Sequence, residues 1–474
     1  MKRAIVWFRQ DLRIQDNTAL AHAVEQGYEL LPLYIWDPES EGAWVPGGAG
    51  QWWLHHALKS LDESFRVIGG ELLIKSGLSG AVLEELAESF QADAVFWNRR
   101  YEPEIIRRDS AIKADLAEVG LTVESFNTSL IWEPHTVATG QGRAYQVYTP
   151  YWKQVSKRKI PDPIRVDEGK LKFITFEEVQ QESLDSLGLL PDIPWDSGMR
   201  ETWEVSEAAA VELLDTFSKS ALDVYHDDRD IPSTVGTSRL SPYLHFGQIG
   251  PRQIWKVISE QMADRGLSNE TYLKEIAWRE YAHHVMYHFP STPEKPLREK
   301  FEAFPWSDNE EHLVAWQKGQ TGYPIVDAGM RELWHTGWMH NRVRMVVASF
   351  LVKHLLISWY EGARWFWDTL VDADLASNTL GWQWAGGCGA DAAPYFRIFN
   401  PMTQGTKFDP EGEYVRRWCP ELSKLPKKFI HEPWKAPANI LEYAGVSLGE
   451  NYPLPIVDHP EARKRALDAL ETTK

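Results

Sequence analysis

The sequence has few cysteines and no surplus of positive charge. Only Cys388 and Cys419 occur in 474 residues, so neither a disulfide framework nor a cysteine-based metal site is indicated. The formal net charge is −18, from 50 lysine and arginine residues against 68 aspartate and glutamate residues. That balance argues against a protein that coats nucleic acid through bulk electrostatics, although a local basic rim could still bind phosphates.

Long hydrophobic runs and the common hydrolase and nucleotide-binding motifs are also missing. The apolar run at residues 345–352 is far shorter than a membrane span, and the run at residues 4–8 is too short for the core of a signal peptide. There is no G-x-S-x-G elbow, no H-E-x-x-H pair and no Walker loop, and no G-x-G-x-x-G follows a predicted strand. The sequence therefore predicts a soluble, cytoplasmic protein with no bound metal and no membrane association.

Tryptophan, in contrast, is unusually frequent. The 23 tryptophans outnumber the 17 tyrosines and the 18 phenylalanines. A rich aromatic core would account for most of them. Indole is also a platform on which nucleic-acid bases stack and a side chain that can be oxidised, so a functional use of some tryptophans stays open.

The order of apolar patterns divides the chain into three parts. Residues 1–130 alternate short apolar runs with helical periodicity, which predicts an α/β domain with a doubly wound parallel sheet. Residues 131–200 carry six prolines and a basic cluster, which is typical of a long interdomain connector. Residues 201–474 predict an all-helical domain. The predicted strands are Ile5–Phe8, Leu30–Ile35, Glu71–Ile74, Ala94–Trp97 and Leu121–Ser125, and the predicted helices of the second domain are residues 206–225, 250–264, 270–287, 309–317, 324–336, 341–357 and 361–370.

Two constellations in the helical part could bind the polar groups of a cofactor. Residues 237–241 place hydroxyls and backbone N–H groups at the start of a predicted helix, which is a natural diphosphate cradle but also the appearance of an ordinary N-cap. Asp372 and Asp374, followed by Asn378, could bind ribose hydroxyls or pair with arginines, or could cap a helix. Spacing alone leaves both alternatives open.

Two further constellations could contact nucleic acid. Arg342 and Arg344 lie two apart, so on a helix they point in different directions, and one could reach a phosphate while the other pairs inward. Glu275 and Trp278 share a helical face, and a carboxylate beside an aromatic plate suits a base that is stacked and hydrogen-bonded at once. A solvated basic face and a half-buried helix face are the ordinary alternatives.

Taken together and in order, these segments resemble the photolyase/cryptochrome family, and most closely bacterial photolyases of class I or the related class III. The resemblance extends over almost the whole chain and implies an N-terminal α/β domain able to hold a light-harvesting antenna, followed by a helical domain that binds folded FAD. The segments that carry it are Trp7–Arg13 with Asp16–Asn17, Gly236–Ser241, Glu275–Glu280, Thr321–Ala328, Gly337–Arg342, Gly381–Trp384 and Phe396–Pro401.

The resemblance also implies a function and a set of roles. It implies a deoxyribodipyrimidine photolyase, in which light and reduced FAD (FADH⁻) split cyclobutane pyrimidine dimers in DNA. Glu275 would hydrogen-bond the lesion and Asn378 would face the flavin ring. The implied FAD-binding residues are Tyr225, Thr237, Ser238, Arg239, Leu240, Ser241, Arg279, Trp338, Asn341, Arg344, Asp372, Asp374 and Asn378. The implied lesion-binding residues are Arg229, Glu275, Trp278, Asn341, Arg342, Met345, Trp384 and Gln404. Trp382, Trp359 and Trp306 would relay electrons from the surface.

Three other functions remain alternatives at this point. A (6-4) photoproduct photolyase usually has a histidine where this chain has Met345. A cryptochrome-type blue-light photoreceptor commonly has a C-terminal extension beyond the helical domain. A light-independent electron-transfer flavoprotein would have no use for the lesion-binding residues.

The antenna is expected to be methenyltetrahydrofolate, with 8-hydroxy-5-deazaflavin or no antenna as alternatives. Folate binding of the enterobacterial type needs a Cys-Lys pair and a glutamate on a following helix, and residues 291–295 and 101–105 do not match that pattern. Residues 47–56 instead resemble plant cryptochromes and their bacterial photolyase relatives, some of which bind folate through other contacts. Damaged DNA is the expected partner, and the protein is expected to be a monomer.

Overall fold

Five short parallel strands form the sheet of the N-terminal domain in the computed structural model, which describes residues 2–176, 181–268 and 270–473. The strands lie in the order β3-β2-β1-β4-β5, so the chain winds outwards from β1 in both directions. They are β1 (Arg3–Phe8), β2 (Glu29–Trp36), β3 (Leu73–Ser76), β4 (Ala94–Asn98) and β5 (Thr122–Phe126). The predicted doubly wound parallel sheet is confirmed, and each predicted strand overlaps an observed one.

The central strands β2, β1 and β4 are buried on both faces of the sheet, whereas the edge strand β5 is partly exposed. The helices of the domain are α1 (Thr18–Glu25), α2 (Gly48–Val67), α3 (Ser79–Ser89) and α4 (Pro103–Glu118). Val6 of β1 belongs to the core that includes α1 and α2, whereas its neighbour Trp7 belongs to the core that includes α3 and α4. Because neither face of these central strands meets water, they appear in the sequence as continuous apolar runs and not as alternating patterns.

Within the described residues, regular structure after the sheet is helical apart from isolated β-bridges. The predicted helical second domain is thereby confirmed. Its helices and those of the connector are α5 (Tyr148–Val155), α6 (Ser197–Thr202), α7 (Glu207–Ser220), α8 (Tyr225–Asp228), α9 (Ser241–His245), α10 (Pro251–Asp264), α11 (Thr271–His288), α12 (Glu310–Gln317), α13 (Pro324–Thr336), α14 (Asn341–Lys353), α15 (Trp359–Thr369), α16 (Leu375–Gly386), α17 (Pro401–Phe408), α18 (Glu413–Trp418), α19 (Ala438–Ala444) and α20 (His459–Glu471). Every described helix is too short or too polar to cross a membrane.

Two predicted helices extend too far along the chain. The helix predicted for residues 206–225 ends at Ser220, where the Leu222 N–H bonds back to the Phe217 carbonyl and closes the last turn. The helix predicted for residues 341–357 ends at Lys353, because Leu356 has a φ of 56°, which a right-handed helix does not contain. Helix α16 was not predicted at all.

The two domains meet at the loop that follows β1. The guanidinium of Arg13 is 1% exposed and donates to the Gly247 carbonyl (2.7 Å) in the helical domain and to the Thr128 hydroxyl (2.8 Å) just before the connector. Asp16 in the same loop pairs with Arg252 of α10 at 2.7 Å. A buried guanidinium needs such partners, so this part of the sequence fixes the position of one domain against the other. The domain boundaries at residues 130 and 200 stay predictions.

The connector is held against α11 by a buried carboxylate. Glu280 is fully buried and accepts hydrogen bonds from the backbone N–H groups of Ile131 (2.8 Å) and Trp132 (3.0 Å). Its neighbour Arg279 donates to the Ser129 carbonyl at 2.9 Å. Burial raises the pKa of Glu280 to about 7, although Arg279 and the two N–H groups act in the opposite direction.

Replacing Glu280 by glutamine is expected to remove a pH dependence from the stability of the fold. Between pH 4.5 and about 7 the folded protein keeps a proton on Glu280 that the unfolded chain has released, so the free energy of unfolding falls as the pH rises through this range. The effect is at most about 3 kcal/mol. Denaturant unfolding at pH 5 and pH 8 should show Glu280→Gln gaining more stability over the parent at pH 8 than at pH 5. An equal difference at both pH values would contradict this assignment.

Candidate active site

A cavity of about 530 Å³ opens in the helical domain. Helices α11, α14, α15 and α16 supply most of its lining, and its volume is in the usual range for sites that bind small molecules. Residues 275, 278, 279 and 282 of α11 and residues 341, 344, 345 and 348 of α14 line it, which is the spacing i, i+3, i+4, i+7 in both helices. That spacing places one continuous stripe of each helix on the cavity, and the stripes carry polar groups where a core helix would be apolar.

More than half of the residues singled out from the sequence line this cavity together. They are Arg229, Ser241, Glu275, Trp278, Arg279, Asn341, Arg344, Met345, Asp372, Asp374, Asn378, Trp382 and Trp384. The others lie outside the lining: Tyr225, Thr237, Ser238, Arg239, Leu240, Trp338, Arg342, Gln404, Trp359 and Trp306. Residues more than 150 positions apart in the sequence are thus brought together in the lining of one cavity.

A guanidinium and a carboxylate pair at the cavity wall. Arg344 donates from Nη2 to both oxygens of Asp372, at 3.0 and 2.8 Å, and from Nε to the Met339 carbonyl at 2.7 Å. The Asp372 side chain is only 3% exposed. The pair therefore presents a fixed, hydrogen-bonded and nearly neutral unit to whatever the cavity holds.

Asp374 has a different environment, at the N-terminus of α16. It accepts a hydrogen bond from the Ser377 N–H (2.8 Å), and it lies 3.4 Å from His283 and 3.7 Å from His245. Burial by itself would raise the pKa of Asp374, but His283, His245 and Arg279 together hold it well below its ordinary value. The carboxylate therefore stays ionised and can accept hydrogen bonds from ligand hydroxyls.

The lining of the cavity also includes a second ion pair and an indole. Arg229 donates to Glu275 Oε1 at 2.6 Å. Trp278, one turn along α11, stacks on Tyr148 with ring centroids 3.7 Å apart and planes 9° from parallel. Arg342 lies outside the lining, where it pairs with Asp230 through both Nε (3.2 Å) and Nη2 (2.8 Å).

The proposed diphosphate loop reaches the cavity only at its end. Residues 237–240 precede α9, and Ser241 is the part of this segment that lines the cavity. Ser238 accepts a hydrogen bond from Tyr272 at 2.9 Å. Arg239 has a φ of 53° and its guanidinium lies over the ring of Trp338 at 4.7 Å, while burial lowers the pKa of Arg239. In this structure the loop is held by aromatic neighbours.

The three tryptophans of the expected relay lie in one hydrophobic cluster. Trp382 lines the cavity, Trp359 is buried, and Trp306 is half-buried beside Phe304. A side chain at Gly362 would overlap the ring of Trp382, so the glycine allows α15 and α16 to approach closely.

Several residues at the site were missed by the sequence reasoning. They are Tyr148 behind Trp278, Phe366 and Trp316 against Trp382, His283 and His245 beside Asp374, and Asp230 on Arg342. His283 lies four residues after Arg279, on the same face of α11, so helical spacing could have found it. Nothing local distinguishes Tyr148 or Trp316, because their partners are distant in the sequence.

The fold and the cavity define a class of two-domain proteins in which a parallel α/β domain precedes a helical domain with a cofactor-sized site. Two family models match the chain, DNA photolyase over residues 4–167 and the FAD binding domain of DNA photolyase over residues 272–472. The chain belongs to the DNA photolyase family, which includes cryptochromes, and its helical domain is a FAD-binding domain.

Individual relatives cover nearly the whole chain. A deoxyribodipyrimidine photo-lyase of Agrobacterium fabrum is 48% identical over 99% of this chain and 98% of its own length. A crystal structure of a class III photolyase from Agrobacterium tumefaciens has 47% identity and a TM-score of 0.95, covering 100% of this chain and 98% of that one. Cryptochrome-1 of Arabidopsis thaliana is 40% identical over 98% of this chain and 70% of its own length.

The residues of the cavity fit FAD. Apolar walls from Phe366, Leu370 and Leu380 suit an aromatic ring system. Sites of this kind hold a cofactor in one orientation through a small number of fixed polar groups. Here these groups are the Arg344–Asp372 pair and the ionised Asp374. The cavity therefore matches a flavin nucleotide in its volume, in the polarity of its lining and in its hydrogen-bonding groups.

Proposed function

We propose that the protein is a deoxyribodipyrimidine photolyase that uses blue light to restore pyrimidines from cyclobutane dimers in DNA. The proposal rests on one observation: the residues expected to bind the lesion and the residues expected to bind the cofactor line the same cavity. Trp278, Trp384 and Glu275 border the same space as Arg344 and Asp372. A flavin and an extruded pair of fused bases could therefore lie in contact.

The aromatic part of the cavity suits a cyclobutane dimer. Such a dimer is poorly stacked and weakly paired within the duplex, so extruding it costs less free energy than extruding normal bases. Trp278 and Trp384 hold its fused rings, and Glu275 and Asn341 hydrogen-bond the edges of the bases. Met345 packs against the lesion. Arg342, Arg229 and Gln404 contact the flanking DNA backbone, and the two arginines supply the local attraction that an overall charge of −18 lacks.

The polar part of the cavity holds the cofactor. When bound, reduced FAD supplies the light-excited electron that opens the dimer and is afterwards recovered. Arg344 and Asp372 orient the ring system, and Asn378 is fixed next to it by donating from Nδ2 to the Ala363 carbonyl at 3.0 Å. Asp374 accepts hydrogen bonds from ribose hydroxyls.

The remaining FAD-binding and relay assignments rest on the resemblance. Residues 237–241 with Tyr225 and Trp338 hold the diphosphate side, and Arg279 lies on the adenosine side. Trp306, Trp359 and Trp382 conduct electrons from the surface towards the cavity. Trp306 is half-buried and Trp382 lines the cavity, which is the order of exposure that such a relay needs.

A light-driven repair assay tests this function. Purified protein with reduced flavin is mixed with an oligonucleotide that contains one cyclobutane thymine dimer, illuminated with blue light, and analysed by chromatography. We expect the dimer to revert to thymines in the light only, and a (6-4) photoproduct in the same sequence to remain. Repair of the (6-4) lesion instead would favour the other photolyase type. Flavin photochemistry without repair of either lesion would favour a cryptochrome-type photoreceptor.

The antenna is proposed to be methenyltetrahydrofolate, as the resemblance of residues 47–56 indicates. In the structure these residues begin α2, where the Gly48 N–H donates to Asp368 of α15 at 2.9 Å, so they lie at the junction of the two domains. An absorption spectrum of the purified protein, followed by mass spectrometry of the released chromophores, distinguishes folate from deazaflavin or no antenna. We further propose that the protein is cytoplasmic and monomeric. Size-exclusion chromatography with light scattering would test the oligomeric state.

A further inference from the structure

The indole of Trp278 has two faces in different surroundings. Its ring borders the cavity, and Tyr148 stacks on it with centroids 3.7 Å apart and planes 9° from parallel. Tyr148 is itself buried and does not line the cavity. It therefore covers the side of the indole away from the cavity and leaves the other side for a ligand.

Tyr148 is fixed in this position from two directions. Its hydroxyl donates to the Lys274 carbonyl at 2.8 Å, one turn before Trp278 on α11. Its backbone N–H donates to the Asp391 carboxylate at 3.3 Å, and the Asp391 backbone N–H donates to the Gln146 carbonyl at 3.0 Å. Burial, with Glu275 nearby, raises the pKa of Tyr148, so the hydroxyl keeps the proton that it donates.

A third ring completes the support. Tyr281 packs edge-on against Trp278 (5.6 Å, 79°) and against Tyr148 (5.8 Å, 74°). Parallel stacking on one partner and edge contact with another leave an indole little freedom to rotate. A half-buried tryptophan without such support would have to lose rotational freedom each time it stacks on a base, which lowers affinity.

We infer that Tyr148, in the connector, is a positioning residue for lesion recognition: it holds Trp278 in the plane that stacks on the extruded pyrimidines. The inference rests on the proposed function and extends the lesion site into the connector helix α5. Tyr148 acts through Trp278 and does not touch the lesion.

Three substitutions in the FAD-loaded protein test the inference. Tyr148→Leu removes the ring, Tyr148→Phe keeps the ring and removes only the hydroxyl, and Tyr151→Leu is the matched control. Tyr151 lies on the same helix and is fully buried, but its ring contacts are with Tyr145, Tyr281 and His284. All variants are compared at equal flavin content and after their melting temperatures have been measured.

The affinity for an oligonucleotide with one cyclobutane dimer is measured by fluorescence anisotropy, beside the undamaged oligonucleotide. For Tyr148→Leu we expect about fivefold to tenfold weaker binding of damaged DNA. Binding of undamaged DNA should change less than twofold, and the repair rate at saturating DNA should be unchanged. Tyr148→Phe should restore binding to within about twofold of the parent. Equal losses in Tyr148→Leu and Tyr151→Leu would show a general effect of α5 packing and would overturn the inference.

Crystal structures of the DNA-free variants separate this inference from the proposed function. We expect the Trp278 ring to leave its plane or to become disordered in Tyr148→Leu and to stay in place in Tyr148→Phe. An unmoved Trp278 in Tyr148→Leu would overturn the positioning role even if the parent repairs dimers. A parent protein that neither prefers nor repairs damaged DNA would overturn the proposed function, and the lesion-positioning role of Tyr148 with it, whatever the crystals show of Trp278.

Discussion

Replacing Trp278 and Trp384 together by alanine is expected to lower the affinity for dimer-containing DNA about a hundredfold or more. Both indoles border the cavity, and stacking of one base on one aromatic side chain is worth about 1–3 kcal/mol. Each single substitution should cost about tenfold if the two rings act independently. Fluorescence anisotropy with damaged and undamaged oligonucleotides measures the effect, and only the damaged one should bind more weakly.

The control for this experiment is Trp334→Ala. Trp334 is 58% exposed on α13 and stacks on Trp365, outside the cavity, so it tests the loss of an accessible tryptophan elsewhere. It should leave DNA binding unchanged, and all variants should retain flavin. A double variant that binds damaged DNA as tightly as the parent would mean that the lesion does not enter this cavity.

Asp372→Ala is expected to yield protein that is purified almost without flavin. The substitution removes the partner of Arg344 and leaves a guanidinium at the wall of a largely apolar cavity. Breaking a buried ion pair from one side costs about 3 kcal/mol or more, which corresponds to a loss of more than a hundredfold in cofactor affinity if the cost falls on the bound state. The ratio of flavin to protein absorbance, and titration of FAD into the apoprotein, measure this loss.

Two further variants show whether flavin is lost because the Arg344–Asp372 pair is broken or because a negative charge is removed. Asp372→Asn keeps an acceptor for Arg344 and should retain an intermediate amount of flavin. Asp215→Ala removes an exposed carboxylate of α7 that pairs with Lys219 on the surface, and it should retain all of the flavin. Full flavin content in Asp372→Ala would contradict the assignment of this cavity wall to the cofactor.

The N-terminal domain could be predicted from the sequence because its signals are local. A strand buried on both faces appears as a short continuous apolar run, and such runs in alternation with helical segments indicate a doubly wound sheet. The helical domain was recognised in the same way from its periodicity. Helix α16 was missed because it packs against α11, α14 and α15, and its less buried residues Ser377 and Gly381 line the cavity, so it has no simple division into polar and apolar faces.

The candidate site could be predicted only in part. Residues 275, 278 and 279 of α11 and residues 341 and 344 of α14 each form a stripe that helical spacing reveals, and the resemblance to photolyases supplied the rest. The roles given to Trp306, Arg342 and Gln404 stay predictions. Their neighbours in the structure, such as Asp230 on Arg342, have no sequence signal.

By itself the sequence determined the class of fold, the polar stripes on two helices and the family. The periodicity of apolar residues shows which face of a helix or strand is buried, and it can be read from that segment alone. The periodicity does not show which distant residue covers the buried face. Only the tertiary structure decided that Tyr148 of the connector stacks on Trp278, or that Glu280 binds the backbone of residues 131–132, because those contacts form when separate elements pack together.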